Sequence, residues 1–119
     1  MSYEIRFAGQ TDEASLQGIF LESDMGLAGE IDEHIVISRG DTVIGGGMLT
    51  QTDPDSYHLI VFAISEDERT HGLGRLLLGR LLQQPWVFCR NGSRPAGERY
   101  QVTTVAKGKS AGFYRKLGL

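Results

Sequence analysis

Apolar residues along this chain recur with two different periods, the two-residue alternation of a half-buried strand and the three-to-four spacing of a helix stripe. Tyr3 to Phe7 alternates and predicts a first strand. Leu16, Ile19 and Phe20 follow on one helical face, with Thr11 placed to cap that helix and Asp12 and Glu13 favourable in its first turn. His34 to Ser38 and Thr42 to Thr50 predict two strands joined by a tight turn at Gly40 and Asp41. After the turn residues Gln51 to Asp55, the near-continuous apolar run Tyr57 to Ile64 predicts a strand covered on both faces. Leu73, Leu76, Leu77 and Leu81 then mark a second helix that stops near Pro85. Trp86 to Cys89 is a short apolar segment of undecided state, and Arg90 to Arg99 reads as a flexible basic loop. Tyr100 to Val105 predicts a last strand, and Ser110 to Leu117 a short helix ended by Gly118. The order β-α-β-β-β-α-β-α predicts an α/β (α+β) fold, a mixed sheet flanked by helices.

Composition narrows this picture. A chain of 119 residues with 40% hydrophobic content suits a single domain over 1–119 around one core. No apolar run reaches the roughly 20 residues that span a bilayer, and the start lacks a secretory pattern, so the expected location is the cytoplasm. On that expectation the tripeptide Arg39-Gly40-Asp41 is a hairpin turn and no adhesion signal. The lone Cys89 follows an apolar run and reads as a buried structural thiol, with a covalent acetyl-carrying role as the sharper alternative. His34, His58, His71 and Cys89 are too scattered for a zinc site, so no metal is expected.

The net charge of −3 conceals a division. Fourteen of the fifteen acidic residues lie at or before Glu68, and ten of the twelve Lys and Arg residues lie at or after Arg69. Either the halves interleave their charges as surface pairs, or one half meets an anion and the other a cation. Nucleic acid is a poor fit, because the total charge is negative and the arginines lack interleaved aromatics. Gly45, Gly46 and Gly47 pose a similar choice, since a glycine run inside a strand marks either a close packing approach or the approach of a ligand.

Chemistry is most legible from Arg69 to Gly74, where a strand passes through a glycine-bearing loop into a helix. The first amides of a helix lack intrahelical partners and its dipole favours anions, so such a loop can hold phosphate by main chain alone. A third glycine is absent, Leu77 standing in its place, which removes the dinucleotide fingerprint. No Gly-Lys-Ser/Thr follows, which removes the Walker loop.

In this context the chain resembles the GNAT acetyltransferase superfamily. Arg69, Gly72 and Gly74 match that family's Gln/Arg-x-x-Gly-x-Gly/Ala motif, and Phe113-Tyr114-Arg115-Lys116-Leu117-Gly118-Leu119 matches its later aromatic-Tyr motif. The resemblance implies a mostly antiparallel mixed sheet and acetyl-CoA as co-substrate. It implies that the main chain of Phe62, Ala63 and Ile64 pairs with the pantetheine arm, and that Arg69, Thr70, His71, Gly72, Leu73, Gly74 and Arg75 form the pyrophosphate cradle. Tyr114 falls at the general-acid position, although a tyrosine filling the helix-sheet core is the plain alternative. His58 aligns with the glutamate base of the histone-acetyltransferase branch; an ordinary strand histidine is the alternative. Lys107 stands where the family often has Asn. The chain ends where the family usually adds a strand or two, so the resemblance implies a homodimer covering the open edge, an unusually open site, or lost activity. The function implied is acetyl-CoA-dependent N-acetylation of a primary amine by direct attack in a ternary complex, for which the charge division suggests a cationic acceptor, with a non-catalytic acyl-CoA-binding or regulatory module as the alternative. Segments such as Glu22 to Asp32 would contact the acceptor.

Overall fold

The computed structural model describes residues 2–97 and 99–104, with the side chains of Thr70 and His71 left aside. The predicted helix over 110–117, and Tyr114 with it, lies outside the described residues. Five strands form one sheet in the spatial order of the chain: β1 (Glu4–Phe7), β2 (Ile35–Arg39), β3 (Thr42–Asp53), β4 (Ser56–Ile64) and β5 (Gln101–Thr104). The first four pair antiparallel and β5 pairs parallel to β4, which makes the sheet mixed and mostly antiparallel as expected. Helix α1 (Glu13–Leu21) covers one face and α2 (Leu73–Gln83) the other. No described helix is long and apolar enough to cross a membrane.

Each face has its own core. Leu16, Ile19 and Phe20 of α1 meet Val36, Met48, Val61 and Ala63, whereas Leu73, Leu77, Leu78 and Leu81 of α2 meet Ile35, Ile37, Leu59, Phe62 and Ile64. The α2 stripe differs from the predicted one by a residue: Leu78 is buried and Leu76 is exposed. At about 100° per residue, Leu73, Leu77 and Leu81 centre the buried arc, and Leu76 falls farther from that centre than Leu78.

Strand β4 serves both cores because it carries a bulge. Met48 lies opposite Val61 and Leu49 opposite Leu59, which leaves Ile60 as the extra residue, and it is exposed. Tyr57 and Leu59 face α2; past the bulge the parity flips, so Phe62 and Ile64 take that face while Val61 and Ala63 turn to α1. A strict alternation would have sent Val61 and Ala63 to the α2 side.

The glycine triplet in β3 resolves as packing. A Cβ on Gly46 would meet Leu16 Cδ1 at 2.7 Å and the carbonyl oxygen of Ile35, and one on Gly47 would meet the Val61 carbonyl oxygen at 2.6 Å. Helix and neighbouring strands thus sit against β3 more closely than a side chain permits.

Two local expectations change. The helix predicted from Thr11 begins at Glu13, preceded by a 3-10 turn over Gln10–Asp12. Asp12 leaves the α1 amides alone and accepts hydrogen bonds from Gly9 N at 2.8 Å and from Arg6 Nη1 and Nη2 at 2.8 and 3.1 Å. The Arg6 guanidinium holds the Asp12 carboxyl below the ordinary carboxylate range, with the Gly9 amide adding to the effect. A depressed carboxyl contributes stability that is present above its unfolded pKa and lost as pH falls through the folded one. Asp12→Asn is therefore expected to lower neutral-pH stability by about 2 kcal/mol, the range for hydrogen bonds to a charged group, and to flatten the acid limb of a pH-stability curve. Parallel curves for the two proteins would contradict this.

The basic loop after Cys89 is anchored where flexibility was expected. Gln51 Oε1 accepts from Ser93 N at 3.0 Å, the Tyr57 hydroxyl donates to the Ser93 carbonyl, and Gly97 N donates to Asp55 Oδ1 at 3.1 Å. Arg90 lies over the Phe7 ring at 4.5 Å and Arg94 over Trp86 at 5.7 Å. Trp86 belongs to a 3-10 turn, Pro85–Val87.

Candidate functional site

The end of β4 leads through Ser65 into a 3-10 turn, Glu66–His71, and then into α2. Gly72 joins the two with φ +74° and ψ 10°, left-handed values that a side chain disfavours, and a Cβ there would meet nothing within 4 Å. The glycine is required by the turn and leaves its outer side open. The first intrahelical hydrogen bond of α2 runs from Leu76 N to Gly72 O at 3.1 Å, so the amides of Leu73, Gly74 and Arg75 precede it. No side chain caps this helix and no acidic residue stands in its first turn. These groups fit an anionic ligand: donors without intrahelical acceptors, the positive end of the helix dipole, and room above Gly72.

The acidic turn before α2 is tied to other parts of the protein. Glu68 accepts from Arg39 Nη2 at 2.7 Å, which ties the β2–β3 turn to this segment and engages the arginine of Arg39-Gly40-Asp41. Glu66 contributes its amide to Glu22 Oε1 at 3.0 Å. The Arg69 side chain turns back to the protein, Nε donating to the Ile64 carbonyl at 2.9 Å and Nη2 to Ser23 Oγ at 3.0 Å. Its guanidinium thus clasps the end of β4 to the segment after α1. Glu22 and Ser23 were not singled out in the sequence as a clasp; nothing local marks residues more than forty positions away as its partners.

Phe62, Ala63 and Ile64 form the far end of β4, beside the loop that opens α2, and all three side chains are buried. Their side chains serve the two cores, and the Ile64 carbonyl accepts from Arg69 Nε. Pairing of β4 with β5 runs from Ser56 opposite Gln101 to Leu59 opposite Thr104. His58 stands within that paired stretch, half-buried, with Nδ1 2.8 Å from Thr103 Oγ1 on β5. Among the described residues Nε2 of this ring has no hydrogen-bond partner. Thr70 and His71 contribute main chain to the turn that ends at Gly72.

Cys89 is 5% exposed, and burial pushes its thiol up, which makes the thiolate scarce at neutral pH. That matches a structural thiol. Among the described residues no three His, Cys, Asp or Glu side chains converge as a metal site requires. Among the described residues Arg6 and Arg39 pair with acids of their own half of the sequence, and Arg69 reaches across to Glu22 at 4.0 Å.

A bulged β4 leads through a left-handed glycine into an uncapped helix start, an arrangement with donors and room for an anionic group. Residues 30–118 match the family model described as the acetyltransferase (GNAT) domain. The chain belongs to the GNAT acetyltransferase family. Comparison with curated proteins gives no match. Among solved structures it is similar to Ard1 from Thermoplasma volcanium, with 17% identity and a TM-score of 0.72, covering 99% of this chain and 82% of that one. It is also similar to N-acetylglutamate synthase from Neisseria gonorrhoeae, complexed with coenzyme A and N-acetyl-glutamate, with 15% identity and a TM-score of 0.73 over 98% of this chain and 28% of that one. Rv2747 from Mycobacterium tuberculosis, in a complex that includes CoA, shows 21% identity and a TM-score of 0.69 over 97% of this chain and 70% of that one. At these identities the likeness is one of fold.

Proposed function

We propose that residues 1–119 form one acetyltransferase domain that moves an acetyl group from acetyl-CoA to a primary, cationic amine, by direct attack in a ternary complex in the cytoplasm. The observation that carries this reading is the uncapped start of α2 at left-handed Gly72, lying directly after the end of β4. Coenzyme A complexes of proteins with the same fold support the choice of ligand.

Acetyl-CoA, when bound, supplies an acyl group activated as a thioester. The amides from Thr70 to Arg75 hold the pyrophosphate, and the main chain of Phe62, Ala63 and Ile64 aligns the pantetheine arm. An amine of lysine type, with a pKa near 10.4, must lose a proton before it attacks. His58 takes that proton on Nε2 while Thr103 fixes the ring through Nδ1. The amine nitrogen then bonds to the acyl carbon, the carbon-sulfur bond breaks as Tyr114 gives its hydroxyl proton to the leaving sulfur, and the second proton lost by the nitrogen returns to the Tyr114 oxygen, leaving a neutral amide and CoA thiol. The acids concentrated at or before Glu68 in the sequence would draw the cationic acceptor, and the late arginines would meet the CoA phosphates.

Release of CoA thiol is the direct assay, using polyamines, aminoglycosides and lysine peptides beside anionic amino acids. Cationic amines should be acetylated faster, and His58→Ala and Tyr114→Phe should each slow transfer by roughly 100-fold or more with CoA affinity kept within about twofold. Equal rates for anionic acceptors would remove the cationic preference, and unchanged rates in the variants would remove these two residues from proton transfer. CoA binding without thiol release for any amine would replace the enzyme with a binding module.

A further inference from the structure

The segment from Glu22 to Glu33 links α1 to β2, and its middle is thinly supported. Gly26, Ala28, Gly29 and Glu30 are exposed, while Met25 and Leu27 rest on the core that contains Val61 and Ala63 of β4. Its first residues are held by the clasp from Glu66 and Arg69. Among the described residues, the hydrogen bond made by positions 26–29 is that from Ala28 N, and it ends on the ring of His34 at Nε2, 3.0 Å away.

His34 is fully buried at the entry to β2. Its Nδ1 lies 2.8 Å from the Glu30 carbonyl oxygen, and the ring packs 6.0 Å from Phe20. The partners fix the tautomer. A backbone amide is only a donor, so Nε2 carries the lone pair; a carbonyl is only an acceptor, so Nδ1 carries the proton. With both nitrogens committed to the backbone of one loop, the ring has no site left for proton transfer to a substrate. A buried polar ring in an otherwise apolar position serves instead to set where its two partners lie.

We propose that His34 is a positioning residue, which holds the Gly26–Glu30 stretch over β4 as a wall of the amine site. The proposal rests on the acetyltransferase reading, in which this segment borders the acceptor. His34 acts on the path of the loop, and neither touches the reacting atoms nor exchanges a proton with them.

Three substitutions separate the two hydrogen bonds. His34→Phe fills the space and removes both; His34→Gln can place its amide oxygen near the former Nε2 and restore the acceptor for Ala28; His34→Asn can restore only the donor to Glu30. Hydrogen exchange at residues 26–30, Kd for CoA, and kcat and KM for the amine are measured on the full chain. In His34→Phe the Ala28 amide should exchange about tenfold faster and the amine KM should rise about fivefold, the scale of one lost hydrogen bond, with kcat and CoA affinity within about twofold. His34→Gln should recover Ala28 protection and much of the KM, and His34→Asn should not; if His34→Phe does not fold, this contrast carries the test. Unchanged exchange would overturn the proposal. Faster exchange with an unchanged amine KM would overturn the link to the amine site while leaving acetyl transfer standing. Absence of transfer by the unsubstituted protein would instead defeat the reading on which the proposal rests.

Discussion

Gly72→Glu is expected to abolish CoA binding while leaving the fold intact. The position sits between the 3-10 turn and α2 at φ +74°, where the open space above the backbone is the space a phosphate would occupy. Glutamate places both bulk and a negative charge against the amides of Leu73, Gly74 and Arg75. The strain of a left-handed non-glycine residue adds about 1–2 kcal/mol, a fraction of ordinary domain stability, so the protein should still fold. Gly72→Asn is the matched control, because asparagine tolerates this conformation and adds no charge. Calorimetric titration should show affinity reduced at least about 100-fold in the glutamate variant and much less in the asparagine variant, a difference of about 2.7 kcal/mol. Equal affinities would place the anion elsewhere.

Gly46→Val should have the largest effect on stability. The added Cβ would meet both Leu16 Cδ1 and the Ile35 carbonyl oxygen, and the second of these belongs to a paired strand that cannot turn aside as a side chain does. Relief requires α1 to lift from the sheet or β2 to part from β3, and either opens the core of Leu16, Phe20 and Val36. Overpacking alone costs about 1–3 kcal/mol, and displaced backbone adds to it, so a loss of about 3 kcal/mol or more is expected. Thermal unfolding should move down by at least about 10 °C. Gly18→Val tests the mechanism, since a Cβ at Gly18 meets nothing within 4 Å and the change is on the helix surface. Comparable losses at Gly18 and Gly46 would show that close approach in the sheet is not the cause.

The strands and helices were legible where an apolar run had a local period. Tyr57 to Ile64 announces a buried strand by composition, and Leu16, Ile19 and Phe20 announce α1 by spacing. The bulge at Ile60 left no such mark, because it depends on how Met48 and Leu49 of another strand are offset against Val61 and Leu59. β3 extends to Asp53, beyond the apolar run that predicted it, since strand pairing continues into polar, exposed positions. The loop after Cys89 looked unrestrained because its anchors, Gln51, Tyr57 and Asp55, lie some forty residues upstream.

The same division applies to the site. Gly72 was legible because a left-handed helix start demands glycine, and the demand is local. The route of the Arg69 side chain was not, since Ile64, Ser23 and Glu22 meet it only after α1 and β4 have packed. His34 looked like an ordinary strand residue in a run of isoleucine and valine; its two backbone partners come from a loop that has no pattern of its own. For Gly45 to Gly47 the sequence posed the choice between packing and ligand approach, and the answer lay in Leu16, Ile35 and Val61.

Titration of 15N-labelled protein with CoA reads the donor site amide by amide. The largest shift changes are expected at Leu73, Gly74 and Arg75, smaller ones along Phe62 to Ile64, and none of comparable size in the Arg90–Arg99 loop. Changes concentrated in that basic loop, with the start of α2 undisturbed, would contradict the assignment of the phosphate cradle.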